Sequence, residues 1–503
     1  MNCITLSLNG SLLLAAGLIL STAPGAMADW ARFRGPNGSG VAADSKPVPT
    51  TWSADKNIAW QLDMPGPGTS APIIVGDKVF VTCWTGYAED DQNASGKLED
   101  LKRNLICVDR KTGKILWNKA VKAKLPEDPF SGMFTNHGYA SHTPVSDGER
   151  VYAFFGKSGV HAFDMAGKKL WSKDVGDGRD QRGWGSAASP ILAGDKLIVT
   201  ASIESNALIA LDKNTGKEIW NSAADVFSGI WGTPILAGPK GKEEIVLAIN
   251  GEVWGVNPES GKLNWYAQGL SGRNATISMV ESDGVVFGLG SRGSGSMAIK
   301  AGGKDDVGET HTVWEGKDGP NIITPVVHGG RLYWATGSLA YCRDAKTGEE
   351  IYTERLPGAS ASSGGRSGGF GGGRPGGDRQ PGGPGGQRAG GRPGGDRQPG
   401  GPGGQRAGGP GGQRGGGLGG GRSGGGGGGR FGGSDYASPI AAGGHLFALL
   451  GTGEMIVVKL GDEFKFVGRN KLGDTGERFT GSPAADDGQL FIRSSKRLYC
   501  IAE

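Results

Sequence analysis

The 503-residue chain has 36% hydrophobic residues, 97 glycines and a formal net charge of +4, so its length admits one large closed architecture or two to three ordinary domains. After residue 28 it holds four cysteines (Cys83, Cys107, Cys342 and Cys500) and no CxxC or CxxCH spacing, which excludes a thioredoxin-like site, a c-type haem and a zinc ribbon. Walker A and HExxH are also missing, which removes P-loop nucleotide and metalloprotease chemistry.

Residues 1–28 read as a secretory signal. An apolar stretch around Leu12 to Leu20 is followed by a Pro24-Gly25 break and a small-x-small site, Ala26-Met27-Ala28. The mature chain is therefore expected to begin at Asp29 and to be exported, periplasmic or secreted. No later segment approaches 18 apolar residues, so no transmembrane segment is expected once the signal is removed.

From there on, outside one insert, the chain repeats itself. A Pro-led apolar run (Pro72-Ile73-Ile74-Val75-Gly76-Asp77), a second apolar run, a third, and a turn of the form Asp109-Arg110-Lys111-Thr112-Gly113-Lys114 ending on Trp117 return in order. Starts of the repeat fall at Pro72, Pro144, Pro190, Pro234, Thr276, Pro325, Pro439 and Pro483. Apart from a long first loop and one insert the steps are 42 to 49 residues, a propeller-blade period. Gly-Asp and Asp-Gly pairs suit hairpins, and Asp109, Asp212 and Asp344 are placed to cap turns whose glycines take the left-handed position. Trp60, Trp117, Trp171, Trp220, Trp265, Trp314 and Tyr352 recur on the outermost strand, where a ring can pack on the neighbouring blade. The last repeat stops after its third strand, while Asn57 to Leu62 is an orphan fourth strand; pairing the two closes the ring and removes exposed edges. The expected fold is all-β: an eight-bladed propeller of four-stranded antiparallel blades, with residues 29–358 holding the N-terminal strand and blades 1–6, and 435–503 holding blades 7–8. Cys107, Cys342 and Cys500 fall on third strands of different blades and are read as buried free thiols.

Residues 359–434 interrupt the pattern with 39 glycines, ten arginines and only Asp378 and Asp396 in opposition, a charge of +8 that leaves −4 for the rest. With Phe370, Phe431 and Leu418 as its only large apolar residues, the insert cannot offset its ordering entropy and is expected to be disordered. Loop-closure entropy varies only logarithmically with length, so deleting 359–434 is expected to leave the melting temperature nearly unchanged. A calorimetric scan showing a loss of several degrees would mean that the arm packs on the propeller.

The Pro-led first strand, the Asp-x-x-Thr-Gly-Lys turn and the following Trp resemble the pyrroloquinoline-quinone (PQQ)-like β-propeller repeat family, as does the opening Trp30-Ala31-Arg32-Phe33-Arg34-Gly35-Pro36-Asn37 of exported bacterial members. That family includes both an outer-membrane-protein assembly lipoprotein and quinoprotein dehydrogenases, so the resemblance implies fold more than function. The dehydrogenase type would bring PQQ with calcium and lead one to look for a vicinal cysteine pair, which the sequence lacks. His137 and His142 stand five apart without a carboxylate at metal-site spacing, and no catalytic, cofactor or metal residue is assigned. The leading reading is a non-enzymatic binding or assembly scaffold of the cell envelope or exterior; the alternative is a PQQ-dependent alcohol or sugar dehydrogenase. In the family's strand order the links into each blade surround the central funnel, opposite the Thr-Gly-Lys turns. Those links carry the expected partner site: His137, Arg182, Trp184, Trp231, Arg273, Asn274, Asn321, Tyr436, Arg478 and Phe479. Expected partners are a protein or an anionic envelope polymer, met by this face and the arginine-glycine arm, and not intracellular nucleic acid.

Overall fold

The computed structural model describes residues 30–42, 46–90, 93–180, 182–270, 276–290, 295–317, 319, 322–358, 436–474 and 476–503. The predicted signal (1–28) and insert (359–434) lie outside the described residues. Eight antiparallel sheets form eight blades, each laid down from the inside outwards in chain order. Blade 1 is typical, with strands Ile73–Val75, Lys78–Thr85, Lys102–Asp109 and Ile115–Lys122. Inner strands of successive blades touch around the axis. The orphan strand, Ile58–Asp63, pairs antiparallel with Arg497–Ile501 and completes blade 8, so residues from both ends of the chain share one sheet.

Two features tie the repeat motif to this packing. A Ser or Thr hydroxyl just before the inner strand accepts from the equivalent backbone N–H of the preceding blade. Ala71 N–H donates to Thr143 Oγ1, Thr143 to Ser189, Ser189 to Thr233, Thr233 to Ser278, Thr324 to Ser438 and Ser438 to Ser482, all at 2.9 to 3.0 Å. Each bond is buried and is worth about 1 kcal/mol, and together they stitch the inner rim. On the outer rim the Trp of one blade reaches the turn of the next: Trp60 Nε1 donates to Arg110 O, Trp117 to Met165, Trp171 to Lys213 and Trp220 to Pro258. The turn glycine is required twice over at Gly113, where φ is +71° and a Cβ would lie 2.6 Å from the Trp60 ring.

Blade 5 departs from the sequence expectation. Its inner strand is Val280–Ser282, and the hydroxyl that joins the stitched rim belongs to Ser278. The Pro72 position is therefore held by Met279, three residues after Thr276; the repeat was misaligned there because the marking proline is replaced. Blade 5 also lacks the Asp-x-x-Thr-Gly turn. In its place Asp305–Asp306 adds a parallel fifth strand to the blade 4 sheet, followed by a single helical turn, Gly308–His311. Trp265, having no such turn to dock on, donates instead to Glu244 Oε2 of its own blade at 2.5 Å. Cys83, Cys107, Cys342 and Cys500 are buried free thiols whose ionisation burial pushes up.

The segment that opens the described chain runs through the centre of the ring. Trp30, fully buried, pairs with Ile74 of blade 1, and Ala31 O accepts from Ser146 N of blade 2. Arg32 Nη2 donates to Pro234 O of blade 4, and Asn37 exchanges two bonds with Leu236 of the same blade. Arg34, 1% exposed, donates to Pro325 O of blade 6 and Pro439 O of blade 7, each at 2.7 Å, and Val41 pairs with Ala441. Inner strands of five blades are thus held by one strap. Carbonyl dipoles, not carboxylates, face both guanidiniums, and burial lowers the Arg34 pKa to about 9 and that of Arg32 to about 10.

Candidate functional site

The links between blades lie on one face. The link from blade 1 to blade 2 bears the short helix Gly132–Asn136, and Asn136 Nδ2 donates to Tyr436 Oη at 3.4 Å, joining it to the link that enters blade 7. His137 follows directly. Its Nε2 is bonded to the Trp184 carbonyl, which can only accept, so the proton sits on Nε2; Nδ1 lies 2.7 Å from Ser141 Oγ. Burial lowers the His137 pKa. Trp184 and Trp231 stand 5.1 Å apart at 46°, Trp231 Nε1 donates to Gly185 O, and the exposed Arg182 lies over both rings at 5.7 and 5.3 Å. Four of the expected residues (His137, Arg182, Trp184 and Trp231) therefore form one unit, with Tyr436 linked through Asn136.

Phe479 does not join it. Its ring is fully buried, packed against Gly453, Gly473 and Tyr499 between blades 7 and 8. A link position gave no exposed ring there, because two glycines leave a slot that the ring fills. Arg478 is half-buried beside Ser495. Arg273, Asn274 and Asn321 lie outside the described residues.

Behind the Arg182 unit is a recess that sequence reading missed, lined by Arg103, Glu127, Asp128, His142, Lys157, Ser186 and Glu204, with Phe134, Tyr139 and Ile203 as apolar wall. Its empty space, open to solvent on one side, is about 330 Å³. Arg103 and Glu127 form a buried ion pair at 2.5 Å, and Arg103 also donates to Tyr139 O and Ser158 Oγ. Lys157 pairs with Asp128 at 3.2 Å, and Arg179 meets the same carboxylate at 2.9 Å. His142 Nε2 lies 3.0 Å from Ser186 Oγ; desolvation, reinforced by Arg103 and His137, pushes its pKa down to about 3. Glu204 is 3% exposed, its Oε2 has no hydrogen-bond partner, and burial raises its pKa to about 7. These groups arrive from five separate segments, which hides the cluster from any local motif search. The available signal was an ionisable residue set against an apolar run, as in Arg103-Asn104-Leu105-Ile106.

A quinone with a divalent cation on the propeller axis fits these residues poorly. Trp30, Arg32 and Arg34 fill the axial channel, and the buried Arg34 and half-buried Arg32 guanidiniums oppose a divalent cation. Among the described residues no group of three or more His, Cys, Asp or Glu is placed to hold a metal.

Fold and repeat define the class as an eight-bladed PQQ-like β-propeller. Residues 90–224 and 156–306 match the model of the family described as outer membrane protein assembly factor BamB, a PQQ-like repeat family, and over those residues the chain is similar to it. Similar solved structures include BamB from Moraxella catarrhalis (10% identity, TM-score 0.53, 89% of this chain and 97% of that one). A europium-containing methanol dehydrogenase is also similar (10%, 0.58, 93% and 96%), as is the quinohemoprotein alcohol dehydrogenase from Comamonas testosteroni (10%, 0.56, 94% and 80%). At such identities the likeness is one of fold. No curated protein matches the sequence.

Proposed function

We propose that the protein is an exported binding or assembly scaffold of the cell envelope whose partner docks on the link face at Arg182, Trp184 and Trp231. The observation that carries this reading is the strap through the axis: the chain's own Trp30 to Val41 takes the central position, while on the face around it Arg182 is exposed and Trp184 half-exposed over a buried Trp231. Trp and Arg are the residues that most often anchor protein interfaces. No described helix is long and apolar enough to cross a membrane. The arginine-rich insert joins the chain between Gly358 and Tyr436, on the link into blade 7, where its +8 charge would add attraction for an anionic polymer.

Arg182→Ala combined with Trp184→Ala is expected to weaken capture of the native partner from envelope extract by about thirty-fold or more, with the melting temperature held. Changes at Lys114, Lys217 and Lys262, on the opposite face, should leave capture unchanged. The reverse pattern would place the partner on the Thr-Gly-Lys face. Stoichiometric uptake of PQQ and calcium with dye-linked alcohol oxidation would overturn the scaffold reading in favour of a dehydrogenase.

A further inference from the structure

We infer that the recess between blades 1, 2 and 3 is a binding site for a hydroxyl-bearing neutral small molecule, a polyol or saccharide, which inserts one hydroxyl between Glu204 and Arg103. The site is off the propeller axis and is separate from the partner surface proposed above, so either stands if the other fails.

Four things define it. First, Glu204 presents a buried carboxyl oxygen, Oε2, with no partner, in a wall of the recess. An unpaired acceptor at that depth is costly unless something donates to it. Second, the space beside the other oxygen of the same carboxyl, Oε1, is open because residue 156 is glycine. A Cβ there would lie 3.2 Å from Glu204 Oε1 and 4.0 Å from both Arg103 Nη2 and His142 Cε1, so it would fill the meeting point of the three side chains. Third, the charges select a neutral guest. Arg103 pairs with Glu127, and Lys157 and Arg179 both meet Asp128, so with Glu204 the cluster sets three cationic side chains against three carboxyls. An anion would face three carboxyl groups, and a cation would face Arg103 and Lys157. A hydroxyl donates once to Glu204 and accepts once from Arg103 Nη2, which suits both groups without adding charge. Fourth, the recess is open to solvent, so the remainder of a small molecule can extend outwards from the inserted hydroxyl. Tyr139 and Phe134, both in the lining, offer apolar ring surface to its carbon skeleton.

The test is calorimetric titration of the full chain with glycerol and with glucose, alongside sodium sulfate and ethylammonium chloride. Saturable one-to-one binding of a polyol probe is expected, with no binding of either ion. Glu204→Gln, which keeps the shape but removes the charge, should weaken it about ten-fold, since charge-assisted bonds are roughly twice as strong as neutral ones. Glu204→Ala should abolish it, and Arg182→Ala should leave it within a factor of about two. Should Glu204→Ala fail to fold, the Gln variant alone decides. Absence of saturable polyol binding, preference for either ion, or full affinity in Glu204→Gln would each overturn the assignment.

Discussion

A chain beginning at Gly66 is expected to lose its cooperative melting transition. The cut removes strand Ile58–Asp63, baring the outer edge of Arg497–Ile501, and with it Trp60, which bridges to Arg110 O of blade 1 and packs at 5.9 Å on Phe491. It also removes the axial strap. Loss of buried Trp30 and of Trp60 would cost about 3–5 kcal/mol each by analogy with Trp truncation. The carbonyls of Pro234, Pro325 and Pro439 would each lose a donor, at about 1–3 kcal/mol apiece. These losses match the whole stability of an ordinary domain, about 5–15 kcal/mol. A chain beginning at Pro47 separates the two contributions: it keeps the closing strand and loses only the strap, so it should fold, melt lower and bind a hydrophobic dye. Circular dichroism melts of the three chains check this. If the Gly66 chain melts like the full one, neither closure nor strap holds the ring.

The parts of this fold that were readable from sequence are those written by local chemistry and then repeated. Thr112-Gly113-Lys114 makes its turn from its own residues: Asp109 accepts from the Thr112 N–H and hydroxyl, both at 2.7 Å, before any partner blade matters. Trp117 is legible because the same ring recurs at the same step. Once the marker is gone, as at Met279, the register slips by three residues although the strand still forms. The strap illustrates the other limit. Arg32-Phe33-Arg34-Gly35-Pro36-Asn37 has the composition of a solvated loop, and only partners 199 to 405 residues away, mostly backbone carbonyls, turn it into a channel filling. Backbone acceptors have no sequence signature, so no pattern of residue types betrays such a site. Glu204 and Arg103 are hidden for a related reason. Each lies on its own blade, and the cluster exists only after three blades have packed.

Glu204→Gln is expected to be more stable than the wild-type protein at neutral and alkaline pH, by a margin that vanishes in acid. Burial raises the Glu204 pKa from 4.5 to about 7, so between those values the folded protein keeps a proton that the unfolded chain releases. Stability contributed by this group is complete below pH 4.5 and is lost as pH rises to about 7. The neutral amide avoids that loss, and the gain above pH 7 is on the order of 3 kcal/mol. His142 acts in the opposite direction. Its pKa is held down to about 3, so below pH 6.5 the unfolded chain takes up a proton that the folded one refuses, and stability falls with falling pH. His142→Gln should therefore be favoured over wild type in acid, by about 1.4 kcal/mol for each pH unit below 6.5. His137 and His161 are depressed in the same direction and remain in both variants, so they cancel when each variant is compared with wild type at the same pH. Urea unfolding at pH 4.5, 6 and 8 measures the two margins. They should open in opposite directions, Glu204→Gln towards alkali and His142→Gln towards acid. Parallel pH profiles for wild type and both variants would show that these side chains are solvated and that the recess does not bury them.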